Sequence, residues 1–327
     1  MMNYEIFKDV VKEKFLSYMP EKYQRMEVRV ESVQKVNRKM DGLSLLAKNE
    51  KTMISPAIYI NDMYEKYLRT EDLQATLQEA MDKVFREMEV PPLDISTAKD
   101  NIIFQLVNTM QNEDMLKNLP HREFQDLSII YRWVAGVDDK GIASSIINNK
   151  LAESLGMGEE QLFKAAAENT RRILPPAVKS MDEVIREMFV ADGMPPEVAD
   201  MMIGEIPPER SMWIISNERG TNGAASMLYE NELHKLSVQL GTDLFILPSS
   251  IHEVIAVPAD DLEPEELAQM VSEINMGQVE LGERLSNQVY YYDKELRKLS
   301  LATDTPNKRL DGIVAEQGLV YETKQSR

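Results

Sequence analysis

Two hydrophobic periods alternate along this chain of 327 residues. Near its start, Ile6, Phe7, Val10, Val11, Phe15 and Tyr18 recur at helical spacing behind Asn3, a residue suited to an N-cap, and Pro20 ends the run. The period then drops to two through Val28 and Val30, which predicts a strand over 27–36. Asp41-Gly42 carries turn chemistry, and 43–47 and 57–60 read as two further strands. Leu73, Leu77, Met81, Val84, Phe85 and Met88 restore the helical period over 71–88. Pro91-Pro92 closes this first unit of helix, three strands and helix, because neither proline can continue a helix.

Beyond that break, 101–109 fits either period and is taken as a strand, while 127–134 reads clearly as one, with Ile129, Tyr131 and Trp133 on one face. A loop at 138–141 leads to a strand over 142–147, then helices over 150–155 and 159–173 separated by Gly156, a residue that accepts a left-handed C-cap. Six prolines between 175 and 208 flank methionine-rich helices at 181–189 and 197–203, an inserted helical subdomain or a mobile flap. Strands are expected at 212–216 and 224–229 around a turn at 220–223, followed by a helix over 230–240 ended by Gly241. Strands at 243–247 and 252–257, a helix over 263–276, and a last strand pair at 288–292 and 298–301 complete the pattern. Segments 142–170 and 254–275 echo one another as strand, break and Glu-Glu helix start, which the preference of glutamate for first helical turns also explains. The expected architecture is α+β: mostly antiparallel sheets built from strand-strand-helix units with helices packed on one side, plus the Met/Pro-rich helical insert. Domains are expected at 1–92 and 93–302, with 303–327 a loosely ordered polar tail.

Composition narrows the function classes. Hydrophobic residues make up 43% and charged residues 28%, enough apolar surface for a sizeable core. No apolar run approaches the roughly 20 residues of a membrane span, the first residues lack the apolar core of a secretory signal, and cysteine is absent, so a cytoplasmic setting is expected. The formal charge is −18, and 195–284 holds seventeen Asp and Glu against four Lys and Arg. Such a field repels phosphate backbones and anionic head groups, so neither nucleic acid nor a membrane surface is an expected partner. It reads as a solvated acidic surface, or as a face that docks a basic protein or mimics DNA.

Candidate chemistry is sparse. In LFILPSSIHEVIAVP (244–258), Ser249, Ser250, His252 and Glu253 gather at the tip of two apolar runs, where a serine beside an imidazole is the minimum for acyl transfer. No Gly-x-Ser-x-Gly elbow surrounds either serine, and adjacent strand residues point to opposite faces, so a hairpin with turn-satisfying serines is the simpler reading. His121, Arg122 and Asp126 in LPHREFQDL make either a binding edge with Arg122 as an anion fork or a connection held by local salt bridges. Asn217, Gly220, Asn222 and Gly223 suggest an anion-cradling turn, but Asn-Gly is also ordinary hairpin chemistry. His234 lies mid-helix and reads as inert. The three histidines lack metal-ligand spacing, so neither a metal nor a cofactor is expected. Met181, Met188, Met194, Met201 and Met202 read as adaptable helical core, with a partner groove as the alternative. The leading expectation is a non-enzymatic interaction or accessory protein using its acidic or methionine-rich surface. The alternatives are a hydrolase or small-ligand enzyme with Ser249 or Ser250 as nucleophile and His252 as base, and an acidic DNA mimic.

In combination, LPHREFQDLSIIYRW, AAAENTRRILP, NGAASMLY, LGTDLFILPSSIHEVIAVPAD and VYYYDKE resemble the signature blocks of a bacterial family known as domain of unknown function 5688. The resemblance runs from NYEIFKDVVKEK to about Leu301. The second half more weakly resembles domain of unknown function 1444, which has a comparable strand, AAENT-like helix and Val-Pro-rich hairpin. Neither family brings an assigned activity or functional residues. The resemblance implies a cytoplasmic protein of anaerobic gram-positive bacteria, sometimes encoded near mobile elements.

Overall fold

The structure, a computed structural model, describes residues 1–19, 21, 27–46, 58–88, 95–138, 141–204, 207, 211–260, 262–305 and 309–312. It divides into two compact units, 1–94 and 95–327. The α+β expectation holds, and every strand pairing among the described residues is antiparallel.

In the first unit, α1 (Tyr4–Lys14) begins where Asn3 Oδ1 accepts from the Ile6 N–H at 2.9 Å, and its apolar stripe buries Phe7 and Val11. A hairpin follows, β1 (Glu27–Lys35) against β2 (Arg38–Leu46), with β3 (Ile58–Tyr59) added to β2. The sequence misplaces the hairpin turn. Lys35 pairs with Arg38, so the turn is Val36-Asn37, with Asn37 at φ 62°, while Asp41 and Gly42 lie inside β2. Gly42 keeps ordinary strand backbone, and Val33 Cγ2 lies 2.5 Å from where its Cβ would stand, so the glycine makes room for a neighbour and does not turn the chain. The sequence reading also omits α2 (Ile60–Thr70), whose buried Ile60, Met63 and Tyr67 fit helical spacing; α3 (Leu73–Met88) follows it. The expected strand at 43–47 is the end of the longer β2, the one at 57–60 shrinks to β3, and Ala47 and Ala57 lie outside the described residues. Phe7, Val11, Phe15, Leu43, Ile60 and Leu77, all fully buried, form the core.

The second unit holds two sheets. In the smaller one, the long strand β6 (Leu127–Asp138) pairs with β4 (Ile102–Asn108) along one edge. Its other edge takes β5 (His121–Phe124) and then β7 (Gly141–Ile146), with α4 (Glu113–Leu116) lying between β4 and β5 in the chain. β4 is buried over its whole length, which is why its sequence showed no clear period. After α5 (Asn149–Leu155), Gly156 takes the left-handed C-cap at φ 62°, and α6 (Glu159–Ile173) runs back along the open edge of β4. There Thr170 Oγ1 accepts from the Phe104 N–H at 2.9 Å, satisfying a strand-edge donor that has no sheet partner.

The larger sheet has the order β13-β12-β10-β11-β9-β8. Its strands are β8 (Pro176–Ser180), β9 (Trp213–Asn217), β10 (Leu244–Leu247), β11 (Val254–Pro258), β12 (Tyr290–Asp293) and β13 (Lys298–Leu301). β8 is an edge strand the sequence reading missed, because Pro175-Pro176 looked like a breaker; proline is tolerated at the first residue of an edge strand. The methionine-rich insert forms α7 (Met181–Ala191) and α8 (Pro196–Ile203) between β8 and β9. Residues 224–229, read as a strand, belong mostly to a 3-10 helix, Gly223–Leu228, entered through Asn222 at φ 52°. The helix α9 (Glu230–Leu240) leads to β10, and α10 (Pro264–Gly277) packs Ala268 and Val271 against Phe245, Leu247 and Val257. Part of the expected tail is docked. Thr303 Oγ1 donates to Gln288 Oε1 at 3.0 Å, and Leu310 is buried with its N–H donating to Gln111 Oε1 at 3.2 Å, while 306–308 and 313–327 lie outside the described residues.

A Cβ at Gly223 would overlap Ser216 Oγ and the His252 carbonyl, so this glycine allows β9 and the loop before β11 to meet. Gly223→Ala is therefore expected to destabilise the second unit by about 2 kcal/mol in urea unfolding. An unchanged midpoint would contradict that close approach.

Candidate functional site

The β10–β11 loop brings two of the sequence candidates together, in a form different from the one expected. His252 and Glu253 precede β11 and do not lie on it. Strand alternation therefore does not set the directions of their side chains. The His252 N–H donates to Ser250 Oγ at 3.0 Å, Ser216 Oγ donates to the His252 carbonyl at 2.8 Å, and the Asn222 N–H donates to His252 Nδ1 at 3.3 Å. With Nδ1 accepting, a neutral ring carries its proton on Nε2, which faces Glu283 Oε1 at 3.5 Å. The lone pair a general base would use is thus held by a backbone amide, and among the described residues no hydrogen bond joins the His252 ring to Ser249 or Ser250. Asn217 closes the neighbouring turn, its Nδ2 donating to Thr221 O and its Oδ1 accepting from the Arg219 N–H, each at 2.9 Å. This polar cluster ties the β9 turn to the β10–β11 loop. Ser249 occupies the same loop, its carbonyl accepting from the Leu285 N–H at 3.1 Å. Burial raises the Glu253 carboxyl above the usual glutamate range, with His252 opposing and Glu283 adding to the effect.

On β5, His121 Nδ1 lies 2.9 Å from Leu119 O, and Arg122 does act as an anion fork, but toward its own chain. Its Nε and Nη2 reach the two oxygens of Glu159 at 3.0 and 2.8 Å, and Nη2 also reaches Glu160 at 2.6 Å. Both carboxylates sit in the first turn of α6, where the helix dipole favours them. The guanidinium stacks 3.8 Å from the Phe163 ring centre, and the Tyr131 hydroxyl donates to Glu159. Burial alone would raise the Glu159 carboxyl; the hydrogen bonds from Arg122 and Tyr131 hold it below its ordinary value. Asp126, at the β5–β6 turn, accepts from Ser286 and from the fully buried Tyr290 hydroxyl, linking the two sheets of this unit. His234 sits on α9 with Nδ1 buried and, among the described residues, without a hydrogen-bond partner.

The α7–α8 pair corrects the core reading of the methionines. α7 buries none of its residues and α8 only Ala199, while Met188, Met201 and Met202 are 60%, 85% and 63% exposed. Two ion pairs hold the hairpin: Arg186 with Asp200 at 2.5 Å, joining its helices, and Lys179 with Glu187 at 2.6 Å, fixing α7 to β8. Ser180 Oγ caps α7 by accepting from the Glu183 N–H at 3.1 Å. Between the helices opens a cleft of about 520 Å³ lined by Asp182, Glu183, Asp200, Met201 and Ile203. Residues 181–204 carry six carboxylates against one cation, Arg186. Neither this cleft nor a second cavity beside α6 is lined by Ser249, Ser250 or His252.

Among the described residues no three His, Asp or Glu side chains gather as a metal site, and no helix is long and apolar enough to cross a membrane. A family model described as a family of unknown function, DUF5688, matches residues 4–294. No curated protein and no solved structure matches the chain.

The raised Glu253 carboxyl has a consequence for stability. A carboxyl whose pKa is higher folded than unfolded holds more protons in the folded chain across the interval between the two values, so stability falls as pH rises through it from the ordinary 4.5. Glu253→Gln is expected to raise the melting temperature by about 2 °C at pH 7 and to leave it unchanged near pH 4. A lower melting temperature at pH 7, or a gain that persists at low pH, would contradict this.

Proposed function

The chain belongs to the family of unknown function DUF5688, from which no activity is inherited, and we propose that it is a non-enzymatic interaction protein whose α7–α8 hairpin docks a basic, amphipathic segment of a protein partner. The observation that carries this reading is the exposure of Met188, Met201 and Met202 on a hairpin rich in carboxylates. Unbranched thioether side chains repack around varied apolar surfaces at low cost, and flanking carboxylates select a cationic counterpart. Leaving three large apolar side chains in water forgoes roughly 1.5–3 kcal/mol for each that could be fully buried, so a partner that covers them gains that energy. Arg186 does not oppose a cationic ligand, because Asp200 already neutralises it. We place this interaction in the cytoplasm, a setting supported by the absence of cysteine from the sequence.

A fluorescent Leu/Lys amphipathic helical peptide is expected to bind the full chain with a dissociation constant of about 10 μM and to lose affinity as salt rises. The double substitution Met201→Ser, Met202→Ser is expected to weaken binding about tenfold with the melting temperature unchanged, since both side chains lie in solvent. Equal binding by a Leu/Glu peptide, or undiminished binding by the double variant, would overturn the reading.

A further inference from the structure

On α6, Phe163, Ala167 and Arg171 recur every fourth residue and so share one face, which lies over β4 and β5. This face walls a groove of about 580 Å³, within the roughly 300–1,000 Å³ range of small-molecule sites. Its sides are aromatic. Phe104 and Phe163 pack with ring centres 5.2 Å apart, and Phe124 and Tyr229 complete the lining. Ala167, set between the two ends of the α6 face, leaves a gap in the aromatic wall where a larger side chain would project.

The charges on the groove differ from one another in an informative way. Arg122 is fully occupied by Glu159 and Glu160. Arg171 stacks 4.4 Å above the Tyr229 ring and, among the described residues, forms no ion pair. Glu168, one helical turn away, also lines the groove, yet the two do not close on one another although i,i+3 spacing brings such side chains within reach. Glu123 adds a second carboxylate without an ion-pair partner among the described residues. The groove therefore presents an aromatic lining with one cation and two carboxylates at its edge that, among the described residues, form no ion pair. Tyr229 adds a buried hydroxyl beside Thr170.

We propose that this groove binds a free aromatic α-amino acid, its ring against the aromatic lining beside Ala167, its carboxylate on Arg171 and its ammonium between Glu123 and Glu168. A purely anionic ligand would meet two carboxylates, a purely cationic one would meet Arg171, and only a zwitterion satisfies both signs. The site lies apart from the α7–α8 hairpin and stands whether or not that surface docks a partner.

The test uses the full chain and three small probes, L-tryptophan, tryptamine and indole-3-propionate, followed by calorimetry and saturation-transfer difference NMR. Tryptophan is expected to bind saturably at about 1 mM or tighter, with each single-charge analogue about tenfold weaker. Arg171→Gln should bring tryptophan down to the level of tryptamine, and Ala167→Trp, which fills the groove, should abolish binding of all three. Should Ala167→Trp fail to fold, Glu123→Gln with Glu168→Gln replaces it and should bring tryptophan down to the level of indole-3-propionate. No saturable tryptophan binding, equal affinity for tryptophan and either analogue, or binding that survives the groove-filling variant would each overturn the proposal.

Discussion

The fork from Arg122 to Glu159 is the contact on which the second unit is organised. It joins β5 to the first turn of α6, recruits the Tyr131 hydroxyl from β6, and lays the guanidinium on Phe163. At a half-exposed position such a bidentate pair contributes about 1 kcal/mol, modest as energy but specific as geometry. It fixes the start of α6, and Thr170 on the Phe104 N–H fixes the other end. Between these two points α6 covers the open edge of β4 and holds one of its faces over the groove beside β5.

The same logic runs through the other polar clusters. Asp126 binds Ser286 and Tyr290, and His252 is held by Ser250, Ser216 and Asn222. In each, groups that looked reactive in the sequence complete one another's hydrogen bonds across elements distant in the chain. Satisfying buried polar groups in this way removes a desolvation cost and specifies one arrangement of loops and strands. What stays open is of a different kind: methionines in water on α7 and α8, and charges of both signs along one groove that form no ion pair among the described residues. The proposed binding function needs only surface left uncovered, and these regions provide it.

The elements that could be read from the sequence are those set by local chemistry. Asn3 caps α1, Gly156 separates α5 from α6, Gly241 ends α9, and the apolar runs on either side of the β10–β11 loop form a hairpin. The misreadings arise where a distant contact decides. Gly42 is a glycine because Val33 crosses it, Pro176 begins a strand because that strand is an edge, and the Asn222-Gly223 pair enters a 3-10 helix because the His252 loop packs against it. Arg122 was recognisable as a fork, but its carboxylates stand thirty-seven and thirty-eight residues away, beyond any local pattern. The methionines could be read as core or as partner surface, because apolar spacing marks an amphipathic face without saying whether anything covers it. The groove had a signal in the four-residue recurrence of Phe163, Ala167 and Arg171, which acquires meaning only once β4 and β5 are placed opposite.

That the uncovered hairpin is a working surface is most directly tested by hydrogen exchange of the full chain with and without a bound Leu/Lys amphipathic peptide. Slowed exchange confined to 181–204 and the adjoining β8 is the expected result. Protection spread over the rest of the acidic surface, with 181–204 unchanged, would contradict the account.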